Sequence, residues 1–102
     1  MKITIVGLGL IGASIAKALS GKAEICGIDN DLRAVDQALS HGVIRKGSSD
    51  FSLAEGSDMV IIAVPVGSIV HIARDIIPHI DSGTLITDTG STKAHIVQCI
   101  DD

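Results

Sequence analysis

The chain opens with KITIVGLGLIGASIAKAL over residues 2–19, and this stretch constrains what the rest can fold into. Ile3, Thr4, Ile5 and Val6 form a β-branched run, Gly7 breaks it, and Gly9 and Gly12 recur inside an apolar pattern of helical period. The pattern predicts a strand, a tight turn and a helix. In G-x-G-x-x-G the first glycine allows the turn, the second lets a pyrophosphate approach the backbone, and the third lets the helix pack close to the strand. Free N–H groups and the positive end of the helix dipole then face the anion. A glycine-rich turn alone can be a plain connection; lying between a predicted strand and helix gives it the context that the phosphate-binding reading requires.

Downstream, the pattern alternates. Ser20, Gly21 and Lys22 end the first helix, and residues 23–28 read as a short apolar strand closing on Asp29. Asp29 follows the glycines at about the 20-residue offset at which an acid meets the adenosine ribose. A carboxylate there accepts hydrogen bonds from ribose hydroxyls and repels a 2′-phosphate, which favours NAD over NADP. Two other features bear on it: Asp29 or Asp31 can cap the next helix, and the guanidinium of Arg33 can accommodate a phosphate.

Residues 31–41 read as a helix with Leu32, Val35, Ala38 and Leu39 inward, stopped by Gly42. A weak strand is expected over 43–46, followed by a polar connection over 47–57 with at most one helical turn near 53–55. The run DMVIIAV at 58–64 is short, strongly apolar and ended by Pro65, as expected of a central strand buried on both faces. A helix over 66–77 would bury Val66, Ile69, Val70, Ala73, Ile76 and Ile77 before Pro78, a fifth strand would span 84–88, and a last helix would span 92–100 with Ile96, Val97 and Ile100 inward. Five alternations predict a doubly wound parallel sheet of the Rossmann type in the order 3-2-1-4-5, with helices on both faces. Its ligand crevice lies at the carboxyl ends of the strands, between strands 1 and 4. The residues at that rim are Gly7, Leu8, Gly9, Leu10, Ile11 and Gly12, then Asp29, then Val64 and Pro65, then Asp88 and the loop after it.

Composition narrows the remaining classes. At 102 residues and 46% hydrophobic, the chain has room for one core, so residues 1–102 read as one dinucleotide-binding domain. Phe51 is the one aromatic residue, so the core is aliphatic. A net charge of −4, no basic run and no stacking platform set nucleic acid aside. Cys26 and Cys99 belong to no metal or redox spacing and read as free thiols. Met1-Lys2 and the apolar residues after it superficially look like a secretory signal, but the glycines fall where a nucleotide loop needs them. No apolar run reaches the roughly 20 residues of a membrane span, so the expected compartment is the cytoplasm.

The loop Asp88-Thr89-Gly90-Ser91-Thr92-Lys93 can be read as a helix cap, which accounts for Ser91 and Thr92 but not for its place beside the crevice. Taken together, ITIVGLGLIGASIAKAL, the aspartate after strand 2, VIIAVPV and above all DTGSTK resemble the amino-terminal half of the prephenate dehydrogenases and their arogenate-using relatives. The resemblance runs from the first strand to the last helix. It implies NAD as cofactor, prephenate or arogenate as substrate, and oxidative decarboxylation of prephenate to 4-hydroxyphenylpyruvate on the way to tyrosine. It places Ser91 near the substrate hydroxyl as a catalytic residue, and gives Lys93 a positioning or electrostatic part.

Family members continue into a histidine-proline motif and a helical domain that binds substrate and forms a dimer. Here none of His41, His71, His79 or His95 precedes a proline, and His95, one helical turn beyond Ser91, is the local candidate base. The chain is therefore expected to bind NAD with little turnover by itself. It is also expected to self-associate, or to need the missing domain, through an unpaired edge at strand 5. Two alternatives share the same glycine loop: a nucleotide-sensing module, and the cofactor half of another hydroxyacid or imino-acid dehydrogenase.

Overall fold

A computed structural model of the protein describes residues 1–89 and 95–98. In chain order these form β1 (Lys2–Val6), α1 (Leu10–Leu19), β2 (Glu24–Ile28), α2 (Leu32–Ser40), β3 (Lys46–Ser48), a 3₁₀ turn (Phe51–Ala54), β4 (Met59–Ile62), α3 (Val66–Ile76), a second 3₁₀ turn (Ile77–His79), β5 (Leu85–Asp88) and β6 (His95–Gln98). The sheet runs β3-β2-β1-β4-β5-β6. Strands β1 to β5 are parallel in the expected order.

Alternation along the strands divides the core between the two faces of the sheet. Ile3, Ile5, Ile25 and Ile61 pack with Leu8, Ala16, Val35, Ala38 and Ile44, beneath α1 and α2. Val6, Ile28, Val60, Ile62 and Ile86 pack with Ala54 and Ile76, so α3 and the first 3₁₀ turn cover the opposite face. This is the doubly wound arrangement, built almost wholly from β-branched aliphatics that suit a sheet buried on both sides. Cys26 is a buried free thiol within β2, and burial pushes its pKa up.

The structure corrects the sequence reading in several places. Residues 95–98, expected to be helical, form β6, antiparallel to β5 with Ile86 opposite Val97 and Thr87 opposite Ile96. The adjacent β-branched Ile96 and Val97 suit a strand, and the open side of β5 offers backbone groups to pair with. Strand β5 is therefore not the edge of the sheet, which removes the edge on which self-association was predicted. The helical spacing from Ser91 to His95 fails with it, since His95 begins a strand opposite Asp88. The remainder of that predicted helix, with Ile100, lies outside the described residues, as do Ser91, Lys93 and Cys99.

The third strand begins at Lys46 rather than Val43, because Ile44 turns into the core beside Val35. On α2 only Val35 and Ala38 are buried, while Leu32 and Leu39 are exposed. On α3 the inward stripe is Ile69, Ile72, Ala73 and Ile76, one face at helical spacing. Val70 and Ile77 follow members of that stripe by one residue, about 100° around the helix, and are exposed.

Beneath the strands, at the end opposite the crevice, a small polar group joins three segments. The hydroxyls of Thr4 and Ser57 share a hydrogen bond of 2.7 Å, and Thr84 Oγ1 donates to the Ser57 carbonyl at 2.8 Å. All three residues are buried. Replacing Ser57→Ala leaves the Thr4 hydroxyl without its partner and is expected to cost about 1–3 kcal/mol in denaturant unfolding. Adding Thr4→Val should recover part of that loss, because it removes the stranded hydroxyl.

Candidate functional site

The β1–α1 turn is shaped by contacts that exclude side chains at two of its three glycines. Gly7 has a φ of +99°, and a β-carbon there would lie 2.5 Å from the Ala63 carbonyl oxygen. At Gly12, in the first turns of α1, a β-carbon would overlap the Gly7 carbonyl oxygen. Gly9 differs. It has extended backbone, and a β-carbon there would meet nothing within 4 Å. Its lack of a side chain does nothing for the fold; what it does is keep the space above the turn open.

That space adjoins the start of α1. Gly9 occupies the N-cap position, no side chain caps the helix, and its first turn carries no acidic residue. The helix therefore presents unpaired N–H groups and a positive dipole end with no anion of its own to offset them. Such an end accepts a phosphate.

The two aspartates after β2 have separate jobs. Asp31 Oδ1 accepts from the Arg33 N–H at 3.0 Å and caps α2. Asp29 instead turns toward the glycine turn: its Oδ2 accepts from the Leu8 N–H at 2.7 Å and its Oδ1 from the Asp31 N–H at 2.8 Å. Each carboxylate oxygen keeps a further lone pair for a hydroxyl donor. Asp29 is half-buried at the rim of a hollow of about 290 Å³ whose walls include Gly7, Gly9, Ile28, Phe51, Val64 and Ile72. A second hollow of about 460 Å³ is lined by Gly9, Leu10, Ile11, Ala63, Val64, Pro65 and Thr89. Gly9, Ala63, Val64 and Pro65 belong to both, so the two form one crevice divided at the glycine turn.

The crevice lies between the carboxyl ends of β1 and β4, where the strand order reverses. It gathers Gly7, Gly9, Leu10, Ile11, Asp29, Val64 and Pro65 on one rim, whereas Gly12 lines neither hollow and packs against the Gly7 carbonyl. Asp88 ends β5 beside Ile62. The catalytic candidate Ser91 lies outside the described residues. A larger hollow of about 530 Å³ between α1 and α2 is lined by Leu8, Leu10, Ala13, Lys17, Gln37 and His41 among others, on the side of the glycine turn away from Asp29 and Phe51.

Sequence reasoning missed Phe51, Asn30 and Ile72. Phe51 is carried by the 3₁₀ turn that Asp50 caps, accepting from the Ser52 N–H at 2.9 Å, a bond that holds the Asp50 carboxyl below its usual range. Its signal was that it is the one aromatic residue in the chain. Among the described residues no cluster of His, Cys, Asp or Glu could hold a metal ion, and no helix is long and apolar enough to cross a membrane.

A divided crevice at the switch point, with an uncapped helix end at its centre and a carboxylate on one side, defines a dinucleotide-binding domain of the dehydrogenase type. The comparisons with known proteins carry this further. A family model described as "Prephenate dehydrogenase, nucleotide-binding domain" matches residues 13–102. The chain belongs to that family.

Among similar proteins, the prephenate dehydrogenase of Lactococcus lactis subsp. cremoris is 38% identical over an alignment of 101 residues that covers 95% of this chain and 28% of that protein. The crystal structure of Synechocystis arogenate dehydrogenase superposes with a TM-score of 0.87 at 30% identity, covering 91% of this chain and 34% of that one. That of A. aeolicus prephenate dehydrogenase, in complex with hydroxyphenyl propionate and NAD+, gives 0.84 at 32% identity with the same coverage. The chain thus spans about a third of the length of these relatives or less.

The glycines separate experimentally. Gly9→Ala is expected to leave unfolding stability within about 0.5 kcal/mol, since the added methyl meets no protein atom, yet to weaken nucleotide binding in a calorimetric titration. Gly12→Ala should instead lower stability by about 3 kcal/mol or more, because α1 must move away from the turn.

Proposed function

We propose that this chain holds NAD for a prephenate dehydrogenase-type enzyme. The observation that carries the reading is the crevice divided at Gly9, with the Asp29 carboxylate on one side of it and Leu10, Ile11 and Pro65 on the other. The turn of Gly7, Leu8, Gly9, Leu10, Ile11 and Gly12 would hold the pyrophosphate, with the uncapped N–H groups of α1 as its donors. Asp29 accepts from the adenosine ribose hydroxyls with the lone pairs left by its two backbone bonds, and its charge opposes a 2′-phosphate. Ile28, Phe51 and Ile72 give the adenine an apolar seat. Val64 and Pro65 wall both halves, Leu10, Ile11 and Thr89 line the nicotinamide half, and Asp88, at the end of β5 just before Thr89, is assigned to the same half.

When bound, NAD would supply the hydride acceptor for the ring carbon that carries the hydroxyl of prephenate or arogenate. This chain's residues supply the position and orientation of that exchange, and its apolar walls keep water from the reacting face. Ser91, following the end of β5, is assigned to the substrate hydroxyl on the strength of the DTGSTK motif. Recognition of the rest of the substrate, and any dimer, falls to the carboxyl-terminal part by which the relatives exceed this chain. The site of action is the cytoplasm.

Calorimetric titration with NAD and NADP tests the cofactor assignment. NAD is expected to bind at least about tenfold tighter, a difference of about 1.4 kcal/mol, and Asp29→Ala is expected to erase the preference. Equal affinity, or a preference for NADP, would overturn it. The substrate assignment is tested by joining the chain to the carboxyl-terminal part of a prephenate dehydrogenase. Oxidation of prephenate supports it, whereas oxidation of simple hydroxyacids with prephenate ignored would assign the chain to a different dehydrogenase.

A further inference from the structure

The glycine turn is held from below by a residue that the G-x-G-x-x-G pattern leaves unspecified. Leu8 lies between Gly7 and Gly9, yet its side chain is only 5% exposed, pointing down into the core under α1 and α2. It ends over Gly27 of β2. A β-carbon on Gly27 would lie 2.8 and 2.9 Å from the two Cδ atoms of Leu8, and 3.0 Å from Cδ1 of Ile44.

The neighbouring strand repeats the device. Gly47 of β3 is the register partner of Gly27, and a β-carbon there would come 2.5 Å from Val35 Cγ1 and 3.0 Å from Ile44 Cδ1. Neither glycine has a positive φ, so neither is required by the backbone. Two side-by-side glycines in adjacent strands instead make a recess in the sheet, and Leu8, Ile44 and Val35 fill it. The backbone of the same turn is tied to the end of β2 twice, by the Gly7 N–H on the Ile28 carbonyl at 2.7 Å and by the Leu8 N–H on Asp29 Oδ2 at 2.7 Å.

We propose that Leu8 is the strut of the nucleotide site: the depth to which its side chain seats over Gly27 sets the height of the glycine turn. Gly27, Leu8 and the Asp29 carboxylate are therefore positioning residues for the pyrophosphate. The proposal rests on the reading that this turn carries the pyrophosphate of NAD. Hydrogen bonds to a phosphate work within a narrow range of length and angle, so a turn lifted by a few tenths of an ångström loses affinity without losing its fold. Asp29 thereby joins the two functions, since the carboxylate that receives the ribose also locks the strut.

The test compares two substitutions that each remove one carbon from the same recess. Leu8→Val shortens the strut, while Ile44→Val thins the recess without touching the turn. Both are expected to fold and to lower the melting temperature similarly. Leu8→Val should weaken NAD binding about tenfold and Ile44→Val less than about twofold. Gly27→Ala should weaken it as Leu8→Val does, and the Gly27→Ala/Leu8→Val pair, which conserves the number of carbons, should regain most of the affinity. Equal weakening by Leu8→Val and Ile44→Val, or a pair no better than Gly27→Ala alone, would overturn the strut. Amide hydrogen exchange keeps this separate from the cofactor assignment. If the wild-type chain binds no NAD, that assignment fails. The strut still requires a Leu8 amide protected in the wild type and in Ile44→Val and exposed in Leu8→Val; fast exchange in the wild type would overturn it.

Discussion

The carbonyl oxygen of Gly7 occupies the place that a β-carbon on residue 12 would need, so the first turns of α1 press directly on the end of β1. Most of the architecture follows from that approach. It aims the uncapped end of α1 across the top of the sheet and leaves the turn no room for side chains at Gly7 or Gly12. It also brings Ala63 and Val64, which follow β4, against the same backbone. The crevice opens where those segments meet because α1 covers one face of the sheet and α3 the other. An anion at that point meets N–H groups already fixed by packing, so binding need not order them.

The core keeps this arrangement rigid with little chemical variety. Alternate strand residues serve two separate apolar layers, and the buried hydroxyls of Thr4, Ser57 and Thr84 are confined to the end of the sheet away from the crevice. The buried hydroxyls and the crevice thus lie at opposite ends of the strands, with the apolar core running between them up to Val6 and Ile28 in the crevice wall. The overlap is at Leu8 and Asp29, where a core side chain and a rim carboxylate hold the same turn. A family whose proteins extend about three times the length of this chain can add substrate recognition beyond the rim without altering that division.

Much of this was legible in residue order. Parallel strand order and the glycine turn followed from local spacing, because a strand, turn and helix within one unit are set by near neighbours. The failures have a common origin. Helical period points Val70 and Ile77 inward, yet both are exposed, because an apolar helix offers more apolar positions than its partner can cover and the sheet selects among them. Residues 95–98 pair with β5 although their period suits a helix, since the open strand edge just upstream offers backbone partners that side-chain periodicity does not register. Phe51 reached the crevice from a connection between β3 and β4 that had no periodic pattern to follow.

The amino-acid sequence alone determined the doubly wound class and the position of the glycine turn, because each depends on residue types a short distance apart along the chain. The tertiary structure alone decided that the Asp29 carboxylate binds the Leu8 N–H, that Phe51 reaches the crevice, and that Gly27 and Gly47 seat Leu8, Ile44 and Val35. Those outcomes depend on distances between segments far apart in the chain, and packing fixes such distances only when every layer is in place.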